Sequence, residues 1–191
     1  KVALTYTTFC REIIDVVAPL VGVVKPQAAF FEQLGPHGMS ALADVIQYAH
    51  GKNLLVVLDG KRNDIGSTAT AYAQGMLGAG DASPWGADAL TVSPYLGDDS
   101  LAPFVTVASE RGAGIFVLVK TSNPGGKMLQ DLTVDGEAIY RRVGAHVNTL
   151  AKETIGECGY GAVGAVVGAT YPEQLAELRQ AMPQTWFLVP G

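Results

Sequence analysis

Four charges, Asp59, Lys61, Arg62 and Asp64, crowd six positions directly after the apolar run Leu54-Leu55-Val56-Val57. Two acids and two bases at the mouth of a buried segment form either a surface ion-pair cluster or a site. In a strand, side chains alternate, so Asp59 and Lys61 face the same side. Asp64 falls in the next loop, and Ile65 to Thr68 begin a helix. Asp64 and Thr68 are four apart, which is one helical face if the helix has begun there. Read as a surface cluster, the stretch would use Asp64 or Ser67 as a helix N-cap. Burying charge without partners is costly, however. A paired acid–base array at the end of a buried strand therefore reads as a site. The chemistry open to it is stabilisation of a developing negative charge by the lysine ammonium.

The elements that must position these groups alternate along the chain. Apolar, β-branched runs at 21–25, 54–59, 88–93, 115–119, 162–168 and 185–189 read as strands. Amphipathic stretches at about 7–19, 38–51, 66–80, 98–111, 135–156 and 172–182 read as helices. Continuous apolar strands separated by helices predict a parallel sheet covered by helices. Two architectures satisfy that pattern, a doubly wound open sheet and a (β/α)8 TIM barrel, and both place ligands at the carboxyl ends of the strands. Polar or special-geometry residues follow nearly every strand: Lys25-Pro26-Gln27, Asp59-Gly60-Lys61, Ser93-Pro94-Tyr95, Lys120-Thr121-Ser122-Asn123-Pro124, Thr170-Tyr171 and Pro190-Gly191. Many loops sharing one site is the barrel pattern, so the α/β (β/α)8 barrel is expected. Six strand–helix units are visible against the eight of a closed barrel. The expectation is that the first and last strands lie outside the chain, and that residues 1–191 form a single barrel domain, incomplete at both ends.

The bulk properties narrow the function. With 191 residues, 48% hydrophobic and 16% charged, the chain is long enough to bury roughly 70% of its unfolded surface. The net charge of −5 comes with no Lys/Arg-dense stretch, so nucleic acid is not an expected partner. No apolar run approaches the roughly 20 residues of a membrane span, and no basic surface helix is present. Cys10 and Cys158 are far apart and read as reduced thiols in a cytoplasmic protein. His37, His50 and His146 lack HxH or HExxH spacing, so no metal site is expected.

Other motifs carry bland readings. Gly159-Tyr160-Gly161-Ala162-Val163-Gly164 matches GxGxxG, but it follows a helix and leads into an apolar run, so it reads as the approach to a strand and not as a dinucleotide loop. Lys25 could be a snorkelling strand-end lysine, though Pro26 after it argues for a fixed loop. Ser122 alone could be an ordinary turn residue. Trp85, Trp186 and the Phe30-Phe31 pair read as core or interface.

Taken in order, several stretches resemble one family. Asp59-x-Lys61-x-x-Asp64-Ile65-x-x-Thr68 resembles the signature of orotidine 5′-monophosphate decarboxylases, and Lys61 to Ala73, KR-x-DIGST-x-x-AYA, resembles the bacterial subgroup. Val24-Lys25-Pro26-Gln27-x-Ala29-Phe30-Phe31-Glu32, Ser93-Pro94-Tyr95-Leu96-Gly97, Thr121-Ser122-Asn123-Pro124-Gly125 and Gly164 to Thr170 agree in order. The resemblance covers essentially the whole chain.

It implies decarboxylation of orotidine 5′-monophosphate to uridine 5′-monophosphate in pyrimidine synthesis, with no metal or organic cofactor. Lys61 would deliver a proton to C6 of the pyrimidine as CO2 leaves, with Asp59 and Asp64 flanking it. Asp64, Ile65 and Thr68 would reach the neighbouring subunit's site across a homodimer interface. Lys25 would contact the ribose, Ser122 would read the pyrimidine edge, and Pro190 would border the ring and the phosphate loop. Decarboxylation leaves a carbanion-like centre, for which a nearby ammonium is the natural stabiliser. The family's ribose-binding Asp would precede Lys1, and its Gly-rich phosphate loop and Arg would follow Gly191. Asn63 stands where the family usually has Gly; Asn tolerates the left-handed region, so the turn could survive there. The alternatives are a magnesium-dependent barrel decarboxylase of sugar-phosphate keto acids and a non-catalytic nucleotide-binding remnant.

Overall fold

The computed structural model describes all residues, Lys1–Gly191. In chain order the strands of the main sheet are β1 (Val23–Val24), β2 (Leu55–Arg62), β3 (Ala89–Val92), β4 (Gly114–Lys120), β7 (Val163–Val167) and β8 (Phe187–Leu188). The helices are α1 (Val2–Val17), α2 (Ala28–Glu32), α3 (Pro36–His50), α4 (Gly66–Met76), α5 (Ala102–Glu110), α6 (Lys127–Gln130), α7 (Ile139–Glu153) and α8 (Pro172–Ala181). A two-stranded hairpin, β5 (Thr133–Val134) with β6 (Glu137–Ala138), stands apart from the sheet.

The main sheet runs β1-β2-β3-β4-β7-β8, and every adjacent pair is parallel. Sequential parallel strands joined by helices form an arc of a (β/α)8 barrel, six strands where a closed barrel has eight. All four residues of β3 and all five of β7 are buried. This is the burial expected of strands covered on both faces, and it explains why they read as unbroken apolar runs. Leu58, Leu90, Val92, Val117, Val163, Ala165 and Val167 belong to a continuous core cluster of 34 residues that also takes in Leu42, Ala73, Phe104, Val147 and Leu178 from the helices.

All six expected strands are present, but several helix limits move. Expected at about 7–19, α1 runs from Val2 to Val17, and within it the hydroxyls of Thr5, Thr7 and Thr8 bond the carbonyls four residues back. The 98–111 stretch becomes helical only at Ala102; before it, Ser100 Oγ bonds the Gly97 carbonyl and Asp99 N–H bonds the Asp98 side chain, holding a turn. The 66–80 stretch stops at Met76, where Leu77 turns extended and bridges Ala87. The 135–156 stretch is a hairpin followed by α7. Asp135 and Gly136 both have positive φ, 54° and 81°, the Asp-Gly turn of a tight hairpin. The GxGxxG stretch leads into β7 at Val163, as its apolar sequel implied. Of the aromatics, Phe31 is buried and Trp85 packs on the core, while Phe30 and Trp186 are exposed, Trp186 stacking on Tyr160.

Candidate active site

The carboxyl ends of β1 and β2 bring Lys25, Asp59 and Lys61 together. Asp59, only 7% exposed, receives Lys25 Nζ on Oδ2 at 2.8 Å and Lys61 Nζ on Oδ1 at 2.6 Å. One buried carboxylate thus holds two ammonium groups, one on each oxygen. The loop after β1 is fixed as Pro26 implied: the Asp59 N–H donates to the Pro26 carbonyl at 3.0 Å. Burial pushes the Asp59 carboxyl up, but hydrogen bonds from Lys25, Lys61 and Thr91 outweigh it and hold the group below its ordinary value.

The route by which Asp59 and Lys61 meet differs from simple alternation. Between the pairs Leu58↔Leu90 and Arg62↔Val92, β2 carries residues 59–61 while β3 carries only Thr91. This bulge takes Asp59, Gly60 and Lys61 out of regular register and re-aims their side chains. Lys61 itself adopts φ 45°, a left-handed conformation that costs a non-glycine residue roughly 1–2 kcal/mol. Backbone strain of this kind collects at functional sites. Asn63, the residue expected to need left-handed tolerance, has no positive φ. The turn is made two residues earlier, at Lys61, because the bulge and not the loop bends the chain. Asn63 Oδ1 is instead buried without a hydrogen-bond partner.

Thr91 is the group that sequence reasoning missed. It is 1% exposed, accepts the Lys61 backbone N–H at 2.9 Å and donates to Asp59 Oδ1 at 2.8 Å. A lone hydroxyl inside the apolar run Ala89-Leu90-Thr91-Val92 was the available signal.

The second acid goes elsewhere. Asp64 lies before α4, makes no ion pair within the chain, and accepts the Ile65 N–H at 2.8 Å. Neither Asp64 nor Ser67 caps the helix: α4 starts at Gly66, and its capping residue, Ile65, makes no side-chain cap bond. Asp64 therefore sits outside the helical turn that would have paired it with Thr68, because the chain is still extended at Ile65. Ile65, 54% exposed, and Thr68 both face solvent. Arg62 turns away from the cluster: its guanidinium pairs with Glu32 of α2, bonds the Gly60 carbonyl and lies over the Tyr72 ring of α4, tying the segment after β2 to these two helices.

The remaining candidates lie on the same rim but outside this bonded cluster. Ser122 follows β4, and Gly168, at the end of β7, approaches it so closely that a Cβ there would stand 2.8 Å from the Ser122 N and Cα. Gly168 N–H donates to the Lys120 carbonyl at 2.7 Å. Pro190 follows β8, and its carbonyl accepts the Ala169 N–H at 2.8 Å. Backbone bonds thus stitch the ends of β4, β7 and β8 together, at the same carboxyl side of the parallel sheet as Lys25 and Lys61. Lys120, the last residue of β4, is wholly buried and pairs with Asp131. His50 binds Asp88 Oδ2 at 2.8 Å, at the opposite end of the strands.

A parallel α/β arc with a Lys–Asp–Lys cluster at its carboxyl rim has clear relatives. The sequence model described as "Orotidine 5′-phosphate decarboxylase / HUMPS family" matches residues 2–191. The orotidine 5′-phosphate decarboxylase of Rhodopirellula baltica is 67% identical over 193 residues, covering 100% of this chain and 64% of the relative. That of Deinococcus radiodurans is 48% identical over 181 residues, covering 94% and 63%. This chain thus spans somewhat under two thirds of the length of these curated relatives. Among solved structures, OMP decarboxylase of Leishmania donovani superposes with TM-score 0.84 at 39% identity, covering 99% of this chain and 70% of that one. The chain belongs to the orotidine 5′-phosphate decarboxylase / HUMPS family.

Proposed function

We propose that the full-length protein decarboxylates orotidine 5′-monophosphate to uridine 5′-monophosphate in pyrimidine synthesis, in keeping with its relatives' name, orotidine 5′-phosphate decarboxylase. The observation that carries this is the Asp59 carboxylate holding Lys25 and Lys61 at the strand ends. The C6–carboxyl bond breaks, CO2 leaves, and the electron pair left on C6 takes a proton from the Lys61 ammonium. The lysine is then reprotonated from solvent. Asp59 fixes the ammonium before reaction, and preorganised charge of this kind is commonly the largest catalytic contribution. No cofactor enters the scheme.

Lys25 contacts the ribose, Ser122 reads the pyrimidine edge, and Pro190 borders the ring. Asp64, Ile65 and Thr68 form an arm to the site of a second subunit in a homodimer. The exposure of Ile65 and Thr68 and the lack of an ion pair between Asp64 and Lys61 support that arm. The continuous core supports reading residues 1–191 as one barrel domain, and no helix is long and apolar enough to cross a membrane. A cytoplasmic location belongs to the same reading.

The test is decarboxylation by the full-length protein, followed by absorbance in the presence and absence of EDTA. Turnover that survives EDTA supports the proposal. Loss of activity in EDTA favours a magnesium-dependent barrel decarboxylase, and uridine 5′-monophosphate binding without turnover favours a non-catalytic protein. Mixing Lys61→Ala with Asp64→Ala subunits restores activity if sites are shared; no recovery removes the shared site.

A further inference from the structure

We propose that Thr91 is a positioning residue for Lys61, holding the lysine's main chain and its carboxylate partner through one hydroxyl. A threonine hydroxyl has one proton to give and lone pairs to receive. Here the proton goes to Asp59 Oδ1 and a lone pair takes the Lys61 N–H. The same Asp59 oxygen carries the Lys61 ammonium. Both ends of the lysine, its backbone and its Nζ, therefore refer to one buried hydroxyl on the neighbouring strand.

The register shows why such a group is needed. Thr91 is the only residue of β3 opposite the three bulged residues of β2. A bulge leaves its extra residues outside the strand ladder, and a buried N–H must still find an acceptor. The Thr91 side chain receives the Lys61 N–H at the point where Lys61 turns into the left-handed region. A valine at this position would preserve β-branching and burial, so packing does not require the hydroxyl. Serine would keep both hydrogen bonds and lose only the methyl group.

The turnover arm of the test rests on the decarboxylase reading; the titration arm does not. Thr91→Val and Thr91→Ser are introduced into the full-length protein. In each, kcat, KM, uridine 5′-monophosphate affinity and the Asp59 carboxyl titration by 13C NMR are measured. Loss of hydrogen bonds to a charged group is expected to lower kcat of Thr91→Val about ten- to hundredfold, with product affinity little changed. Thr91→Ser is expected to recover to within a few-fold of wild type. The Asp59 midpoint moves up in Thr91→Val, which lacks the donor, and returns in Thr91→Ser. If valine prevents folding, Thr91→Ala takes its place with the same readouts. Equal Asp59 midpoints in all proteins, or a serine variant as impaired as the valine variant, would overturn the proposal. A wild-type protein that binds but never turns over orotidine 5′-monophosphate would defeat the decarboxylase reading, and the titration would still decide Thr91.

Discussion

Lys120 ends β4 with its side chain 0% exposed, and its ammonium stands 2.5 Å from Asp131 Oδ1. The Tyr171 and Tyr140 ring centroids lie 4.5 and 5.6 Å from the same nitrogen. An ammonium in such a place depends on its carboxylate, since a buried charge without a partner is expensive. Removing one partner of a fully buried pair costs about 3–5 kcal/mol. Asp131 is 40% exposed, so water can reach the stranded ammonium and the expected cost of Asp131→Ala is about 2–3 kcal/mol. Lys120→Met takes the charge away and keeps most of the volume. It leaves Asp131 facing solvent and is expected to cost at most about 1.5 kcal/mol. The double variant should then match Lys120→Met alone, a coupling of about 2 kcal/mol. Urea unfolding of the four full-length proteins measures the cycle through their midpoints. Additive losses, or an Asp131→Ala cost no larger than that of Lys120→Met, would refute the reasoning. The pair also closes the loop that carries Ser122, together with Gln130, whose amide bonds Thr121 N–H and Oγ1. Asp131→Ala is therefore expected to raise KM as well.

The Asp59 carboxyl is held below its ordinary value of 3.8. A depressed carboxylate contributes stability above its unfolded pKa, and that contribution is lost as pH falls through the folded value. The stability gap between wild type and Asp59→Asn should therefore be flat from pH 7 to about 5 and close below about pH 4, as followed by urea unfolding at each pH; a gap that widens on acidification would contradict it. At Gly168, a Cβ would stand 2.8 Å from two Ser122 backbone atoms, too close without backbone movement. Gly168→Ala is expected to cost about 1–3 kcal/mol and to raise KM by displacing Ser122, so an unchanged KM would remove Ser122 from substrate recognition. Arg62→Ala cuts the ties to Glu32 and Tyr72; on the proposed homodimer it is expected to weaken subunit association, measured by sedimentation, more than it slows turnover at protein concentrations that keep the subunits associated.

The strands were legible because each is a continuous apolar run, and burial on both faces demands such a run. The polar residues behind them stood out for a related reason: Lys25 and Asp59 break apolar sequence at the strand ends, and Ser122 lies in the polar stretch Lys120-Thr121-Ser122-Asn123 after the fourth run. What sequence periodicity could not carry was local geometry. A bulge depends on the register of two strands, so the turn at Lys61 and the bond from Thr91 become visible only once β2 and β3 are paired. The missed β5–β6 hairpin had a signal in Val134-Asp135-Gly136-Glu137, hidden by the amphipathic helix directly after it. The fate of Lys120 was hidden too: grouped with the polar residues of the strand-end loops, it is instead wholly buried under Asp131 and the rings of Tyr140 and Tyr171, a packing that only the folded chain displays.

The measurement closest to the centre is orotidine 5′-monophosphate turnover by the full-length protein and its Lys61→Ala variant, with uridine 5′-monophosphate affinity measured in parallel. If the ammonium held by Asp59 stabilises the carbanion-like centre and supplies its proton, Lys61→Ala loses at least about a hundredfold to thousandfold in kcat while product binding persists. A Lys61→Ala protein that turns over at the wild-type rate would contradict it.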